Sequence, residues 1–325
     1  MSRTQVSDER SFLSDGEDKE TDTDDWGEEV ENAVKEPAVN KMWAQSGVDF
    51  IPCQKAVDNL PPGQYVVRYS DSKGIHFSKK EINLDDLISL PDSASETVLD
   101  NIREFWGREK YFREFGFLWK RGILLWGPQG SGKTSTVQQL AKQVIDLGGI
   151  SVYCTHPHND SLGLDLLRNI EPTRPAIVIL EDIDAIVEQH GEHELLALLD
   201  GELQIDNVVF VATTNYPERL DKRIVNRPSR FDELIKIGMP SDAARAVYLQ
   251  AKNPRLGMPK HEGELSQWVE ASNGFSIAHL KEFIISVECF GRTIDETAKR
   301  LRSMMDIKRS SDHDREGNFG FVDRD

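Results

Sequence analysis

The chain has 325 residues, of which 38% are hydrophobic and 29% charged, and its formal net charge is −17. That length and balance suit a soluble protein of two or three domains, and no apolar run approaches the roughly 18–20 residues that span a bilayer. The acidity argues against a general nucleic-acid coat, because phosphate binding is driven by clustered Lys and Arg. Cys53, Cys154 and Cys289 lie far apart without a CxxC pair, which suggests neither a disulfide framework nor a zinc ribbon. The opening residues lack the apolar stretch of a signal peptide, so a cytoplasmic protein without a membrane span is expected.

Residues 1–40 form an acidic, Ser/Thr-bearing stretch; its first 36 residues hold 4 basic against 13 acidic side chains, a local charge of −9. Such a segment cannot bury enough apolar surface to offset its ordering entropy, and disorder is predicted. Residues 41–93 read as a small β-containing module. Within it, residues 64–69 and 75–79 flank a Gly-containing loop and predict a hairpin. A short helix is predicted over 83–90, ending before Pro91. From 93 to 117 the spacing of Val98, Ile102, Phe105 and Trp106 is helical, and a second aromatic cluster follows at Tyr111, Phe112, Phe115 and Phe117. Both read as core.

Strands and helices then alternate in the manner of a parallel sheet, with strands predicted at 122–126, 150–154, 176–180 and 207–212. Beyond Met239-Pro240 the pattern is helical only, over 242–251, 264–271, 277–288 and 293–305. The organisation predicted is an α/β core over residues 94–240, a helical lid over 241–308 and a flexible tail over 309–325.

The first strand runs into Gly127-Pro128-Gln129-Gly130-Ser131-Gly132-Lys133-Thr134, followed by Ser135. This GxxxxGK[ST] pattern is that of a phosphate-binding loop. Its glycines let successive N–H groups point at phosphate oxygens, and the helix that follows adds its positive end. Lys133 is expected to reach the β- and γ-phosphates and Thr134 to ligate Mg²⁺. About forty-five residues on, Ala176-Ile-Val-Ile-Leu180 delivers Glu181 and Asp182 to a strand end, where one acid would hold the Mg²⁺ shell and the other polarise the attacking water.

These strings, with Val211-Ala-Thr-Thr-Asn215 and Asn226-Arg-Pro-Ser-Arg-Phe-Asp232, occur in the order and spacing of the AAA branch of AAA+ ATPases, which the chain resembles from about Ser93 to Met305. The resemblance implies a P-loop NTPase core binding ATP and Mg²⁺, with Glu181 and Asp182 as the Walker B acids. It makes Asn215 the first sensor and Arg227 and Arg230 the arginine fingers that reach a neighbour's γ-phosphate. Metal ligation would fall to Thr134 and, through water, Glu181; Ile277 and Ala278 of the lid would lie near the base. A homo-oligomeric, hexamer-like ring acting on a macromolecule, protein rather than nucleic acid, is also implied.

Two features depart from most of that family. The acids run Glu then Asp rather than Asp then Glu, a change that can slow turnover, since a misplacement near 1 Å can cost on the order of 10²-fold. The connection between the second and third core strands is short and lacks an aromatic pore loop. Both features are similar to the subgroup that assembles respiratory complex III. Two other functions stay open: a nucleotide-gated switch with little hydrolysis, favoured by the Glu-Asp order, and a DNA-directed motor, for which residues 299–309 supply basic side chains. Cys154, His156, His158 and Asp160 alternate along a short run but make a weak metal signal without a fourth clustered ligand. His190 and His193 read as solvated helix-end residues.

Overall fold

The computed structural model describes residues 42–46, 49–53, 55–81, 87–91, 94–200, 205–225, 227 and 229–305. The chain divides into two units, Met1–Val57 and Asp58–Asp325. In the first, β1 (Met42–Ser46) and β2 (Asp49–Cys53) pair antiparallel, Met42 opposite Cys53. The tails expected over 1–40 and 309–325 lie outside the described residues.

The second unit is built on a seven-stranded sheet. In chain order it contains β3 (Gly63–Ser70), β4 (Gly74–Lys80), α1 (Ala94–Trp106), α2 (Glu109–Glu114), β5 (Lys120–Trp126), α3 (Lys133–Asp146) and β6 (Ile150–Tyr153). It continues through α4 (Pro157–Ile170), β7 (Ala176–Leu180), α5 (Ile183–His190), α6 (Glu192–Asp200), β8 (Val208–Thr214), α7 (Lys222–Val225) and β9 (Glu233–Lys236). The strand order is β4-β3-β6-β7-β8-β5-β9, and every neighbouring pair is parallel except β3 with β4.

Successive residues of a strand face opposite sides, and both sides here are covered by helices. Ala176, Val178 and Leu180 of β7, with Val208, Phe210 and Ala212 of β8, share a core with Leu164, Leu167, Leu195 and Leu198 of α4 and α6. Ile177, Ile179, Val209 and Val211 face the other way and pack with Val98, Ile102, Leu140 and Val144 of α1 and α3. This two-sided burial is why those strands read as unbroken apolar runs.

The hairpin predicted within residues 41–93 forms, but it is part of the central sheet: β3 pairs in parallel with β6, Gly63 opposite Ile150. Residues 87–90, the described part of the helix predicted over 83–90, carry no regular structure. The helix predicted over 93–117 is broken at Gly107 into α1 and the six-residue α2. Phe112 stacks edge-on with Phe105, but Tyr111, Phe115 and Phe117 are exposed, because so short a helix buries no face. The short β9 was not apparent in the sequence.

The lid consists of α8 (Asp242–Lys252), α9 (Glu262–Ala271), α10 (Ile277–Ile284), a wider helical turn at Ile285–Cys289, and α11 (Ile294–Met305). Ser241 and Ser276 cap α8 and α10 by accepting from the N–H groups of Ala244 and His279. Tyr248, Leu249, Trp268, Phe275, Phe283 and Leu301 form its separate core. Among the described residues no helix is long and apolar enough to cross a membrane.

One glycine sets how closely β5 meets the segment before β9. A Cβ on Gly122 would lie 1.8 Å from the Arg230 carbonyl oxygen, a backbone atom that cannot rotate away. Gly122→Ala should therefore destabilise the fold by about 1–3 kcal/mol or more, read as a lower denaturant midpoint.

Candidate functional site

The loop between β5 and α3 is shaped by three glycines at positive φ, Gly127 at 153°, Gly130 at 76° and Gly132 at 108°. Side chains rarely adopt these angles, and the contacts reinforce the requirement. A Cβ on Gly127 would lie 2.1 Å from the Ile237 carbonyl, and one on Gly130 would lie 2.7 Å from Ser276 Oγ. Lys133 opens α3 and is only 7% exposed. Its Nζ donates to the carbonyls of Gly127 (2.8 Å) and Pro128 (3.0 Å) and to Asn215 Oδ1 (2.6 Å). Burial lowers its pKa, while the carboxylates of Asp182 and Asp184 act in the opposite sense.

Asn215 follows β8, and its amide also donates to Asp182 Oδ1 at 3.4 Å. Asp182 adopts a left-handed conformation (φ 48°), and its N–H donates to Thr213 Oγ1 at 3.0 Å. The Thr214 hydroxyl donates to Asp184 Oδ1 at 2.8 Å. The ends of β7 and β8 are thus cross-linked by hydroxyl groups that the sequence reading passed over, although they lie inside the quoted Val211–Asn215 string.

Glu181 goes elsewhere. Leu180 faces α4 and α6, so strand alternation turns Glu181 toward α3, where it lines a small cavity with Val137, Gln138, Tyr153, Gln64 and Lys80. The Tyr153 phenol beside it is pushed up to about 12, first by burial and then by the Glu181 carboxylate. One Glu181 oxygen is buried there without a hydrogen-bond partner.

Two cavities meet at the loop. One, of about 350 Å³, is lined by Gln129, Gly130, Lys133, Thr134, Asp182 and Asn215. The other, of about 630 Å³, is more apolar, with Pro91, Ile237, Tyr248, Ile277 and Ile284 in its wall. Gly132, Ser135, Tyr248, Ile277 and Lys281 line both. Ile277 therefore stands at the junction and Ala278 on the polar side. Tyr248 and Lys281 were missed; Lys281 lies four residues after Ile277, one helical turn along the same face, and that spacing could have marked it.

The residues fit a nucleotide with its divalent cation. Ser131 Oγ is buried without a partner at the rim, the glycine curl leaves no side chains in the way, and a cation, Lys133, sits among hard oxygen donors. Thr134 and Asp182 share the polar cavity, whereas Glu181 lines the other one.

The two arginines before β9 are also separated. Arg227 is exposed, with Asp200 3.9 Å away. Arg230 is 6% exposed; its guanidinium donates to Asp200 and to the Arg223 carbonyl of the same chain. Arg230→Ala would leave Asp200 with only the more distant Arg227, and a loss of about 1.5–3 kcal/mol of stability is expected in a denaturant melt. Both arginines lie by the amino-terminal end of β5. Gly122, against which Arg230 packs, is separated from Gly127 by roughly 16 Å of strand, beyond the reach of an arginine side chain.

Residues 123–239 match the protein family described as "ATPase family associated with various cellular activities (AAA)". A "Cell division cycle protein 48 homolog" of Archaeoglobus fulgidus is 28% identical over 231 residues, 66% of this chain and 29% of that protein. "Proteasome-activating nucleotidase 1" of Haloferax volcanii is 25% identical over 244 residues, 70% of this chain and 59% of that protein. The "Probable mitochondrial chaperone bcs1" of Schizosaccharomyces pombe is 32% identical over 164 residues, 46% of this chain and 36% of that protein. The chain thus spans between 29% and 59% of the length of these three relatives. The matched residues include most of β5 and all of β6 to β9, with the glycine loop, the acids and Asn215, and over this stretch the chain matches the AAA ATPase family.

Proposed function

We propose that the chain binds ATP with Mg²⁺ and hydrolyses it as one subunit of a homo-oligomeric ring, and that turnover remodels a protein or nucleoprotein complex. The observation that carries this reading is the convergence of Lys133, Asp182 and Asn215 on one cavity while Arg227 stands exposed at the other end of β5. The loop N–H groups and Lys133 hold the β- and γ-phosphates, and the apolar cavity takes the base. Asp182 accepts the proton of the attacking water, and Asn215 orients that water. Thr134, with help from Asp182, would hold Mg²⁺, which would supply charge neutralisation to the phosphates. Arg227 completes the constellation only on an adjacent copy, whose γ-phosphate it meets.

The surface around Arg227 suits such a neighbour. Phe117, 68% exposed, and Leu118 line the same cavity as Arg227. Exposed apolar groups beside a charge of this kind mark contact surfaces. The names of the relatives, a chaperone and a proteasome-activating nucleotidase among them, support a macromolecular substrate.

The nucleotide-gated switch remains a second reading because Glu181 faces Tyr153 rather than the phosphate cavity. Steady-state ATPase rate against protein concentration separates the two. A rate per subunit that rises with concentration and vanishes in Asp182→Asn is expected. ATP binding without turnover at any concentration would leave the switch.

A further inference from the structure

A second constellation lies at the carboxyl edge of the sheet, outside the nucleotide cavities. His156 follows β6 and immediately precedes α4, His190 ends α5, and Glu194 sits in the first turn of α6. One ligating atom from each lies within 4.8 Å of the other two. The imidazole rings of His156 and His190 are 4.5 Å apart between centroids. His156 Nδ1 faces Glu194 Oε2 at 3.8 Å, too far for a hydrogen bond, and both atoms are buried without any hydrogen-bond partner.

We propose that His156, His190 and Glu194 bind a divalent transition-metal ion of the zinc class, leaving a fourth position for water or an incoming ligand. Two imidazoles and a carboxylate are a donor set such ions favour, and Mg²⁺ is ill suited to it. Bonds of about 2.0–2.1 Å in a tetrahedron put ligand atoms about 3.3 Å apart, so the observed separations need to contract by only about 0.5–1.5 Å. The two orphaned atoms are what a bridging cation satisfies. The turn that carries His156 is already fixed. Asp160, fully buried, accepts from the N–H groups of Thr155 and His156 at 3.2 Å each. The ion would clamp the start of α4 to the α5–α6 turn, where Gly191 at φ 84° reverses the chain between two of the ligands.

The run Cys154, His156, His158 and Asp160, a weak metal signal in the sequence, does not form the site. Cys154 and Asp160 are buried beneath the edge, and His158 is exposed; only His156 joins the cluster. No HExxH run occurs in this sequence, and ion binding by these three side chains needs no turnover of ATP.

The test is a titration of the full, chelator-stripped, nucleotide-free chain with Co²⁺, followed by displacement with Zn²⁺. One Co²⁺ per chain is expected, with the visible spectrum of a nitrogen- and oxygen-ligated site and without a thiolate charge-transfer band. Zn²⁺ should displace it, whereas excess Mg²⁺ should not. His156→Ala, His190→Ala and Glu194→Gln should each weaken binding by about tenfold or more. Absence of saturable binding by the unaltered chain would overturn the proposal whether or not the variants fold. A thiolate band, or variants that titrate like the parent, would overturn it equally.

Discussion

Lys133→Ala should lose measurable ATP affinity while remaining folded. Two charge-assisted contacts to phosphate, at about 1.5–3 kcal/mol each, correspond to about 10²–10⁴-fold in affinity. The loss reaches further than the phosphates, because the same ammonium bridges the Gly127 and Pro128 carbonyls to Asn215. Without it the loop and the end of β8 lose their common donor. Titration with a fluorescent ATP analogue measures the affinity, and a parallel thermal melt shows that the fold persists. Retained affinity in a folded variant would refute the assignment of the glycine loop as the phosphate site.

Arg227→Ala should bind ATP normally and lose about 10³–10⁵ in turnover, the usual effect of removing a guanidinium that faces the transferring phosphoryl group. Its position makes a sharper experiment possible. A Lys133→Ala subunit is inactive in its own cavity but still presents Arg227; an Arg227→Ala subunit has the reverse defect. Mixing two inactive proteins should restore part of the ATPase activity, because some junctions pair an intact cavity with an intact arginine. Mixtures that stay silent, although the variants still co-assemble, would show that Arg227 does not act between subunits. The Arg230 guanidinium donates to Asp200 and the Arg223 carbonyl inside its own chain, so its removal also disturbs the fold and Arg227 gives the cleaner test.

Much of this is legible in the sequence. The unbroken apolar strings of β7 and β8 could only be strands covered on both faces, and the glycine loop fixed where the first core strand ends. The capped lid helices could be bounded closely by Ser241 and Ser276. What stayed hidden depends on distant pairing or on which way a side chain turns. The union of β3 with β6 joins residues nearly ninety positions apart, and nothing local in Gln64–Tyr65 announces Ser151–Val152 as partners. The facing of Glu181 follows from strand alternation, which the sequence shows, whereas that of Asp182 depends on a left-handed backbone just beyond β7, which it does not. The meeting of His156 with His190 and Glu194 needed the fold, because only the packing of α4 on α6 brings them together. Arg230 illustrates the same limit: a guanidinium in a motif reads identically whether it is exposed or buried.

The contact between Gly130 and the lid has a mechanical consequence. The Ile277 N–H donates to the Gly130 carbonyl at 3.0 Å, so the first turn of α10 hangs on the same peptide that curls around the phosphates. One such bond is worth only about 0.5–1.5 kcal/mol, so it orients α10 on the loop without locking it there. The glycine loop thereby becomes a hinge pin as well as a cradle. A change in the backbone of the loop would reach α10 directly through this bond, and α11 through the shared lid core. The small residue at position 130 is what keeps that pin from jamming.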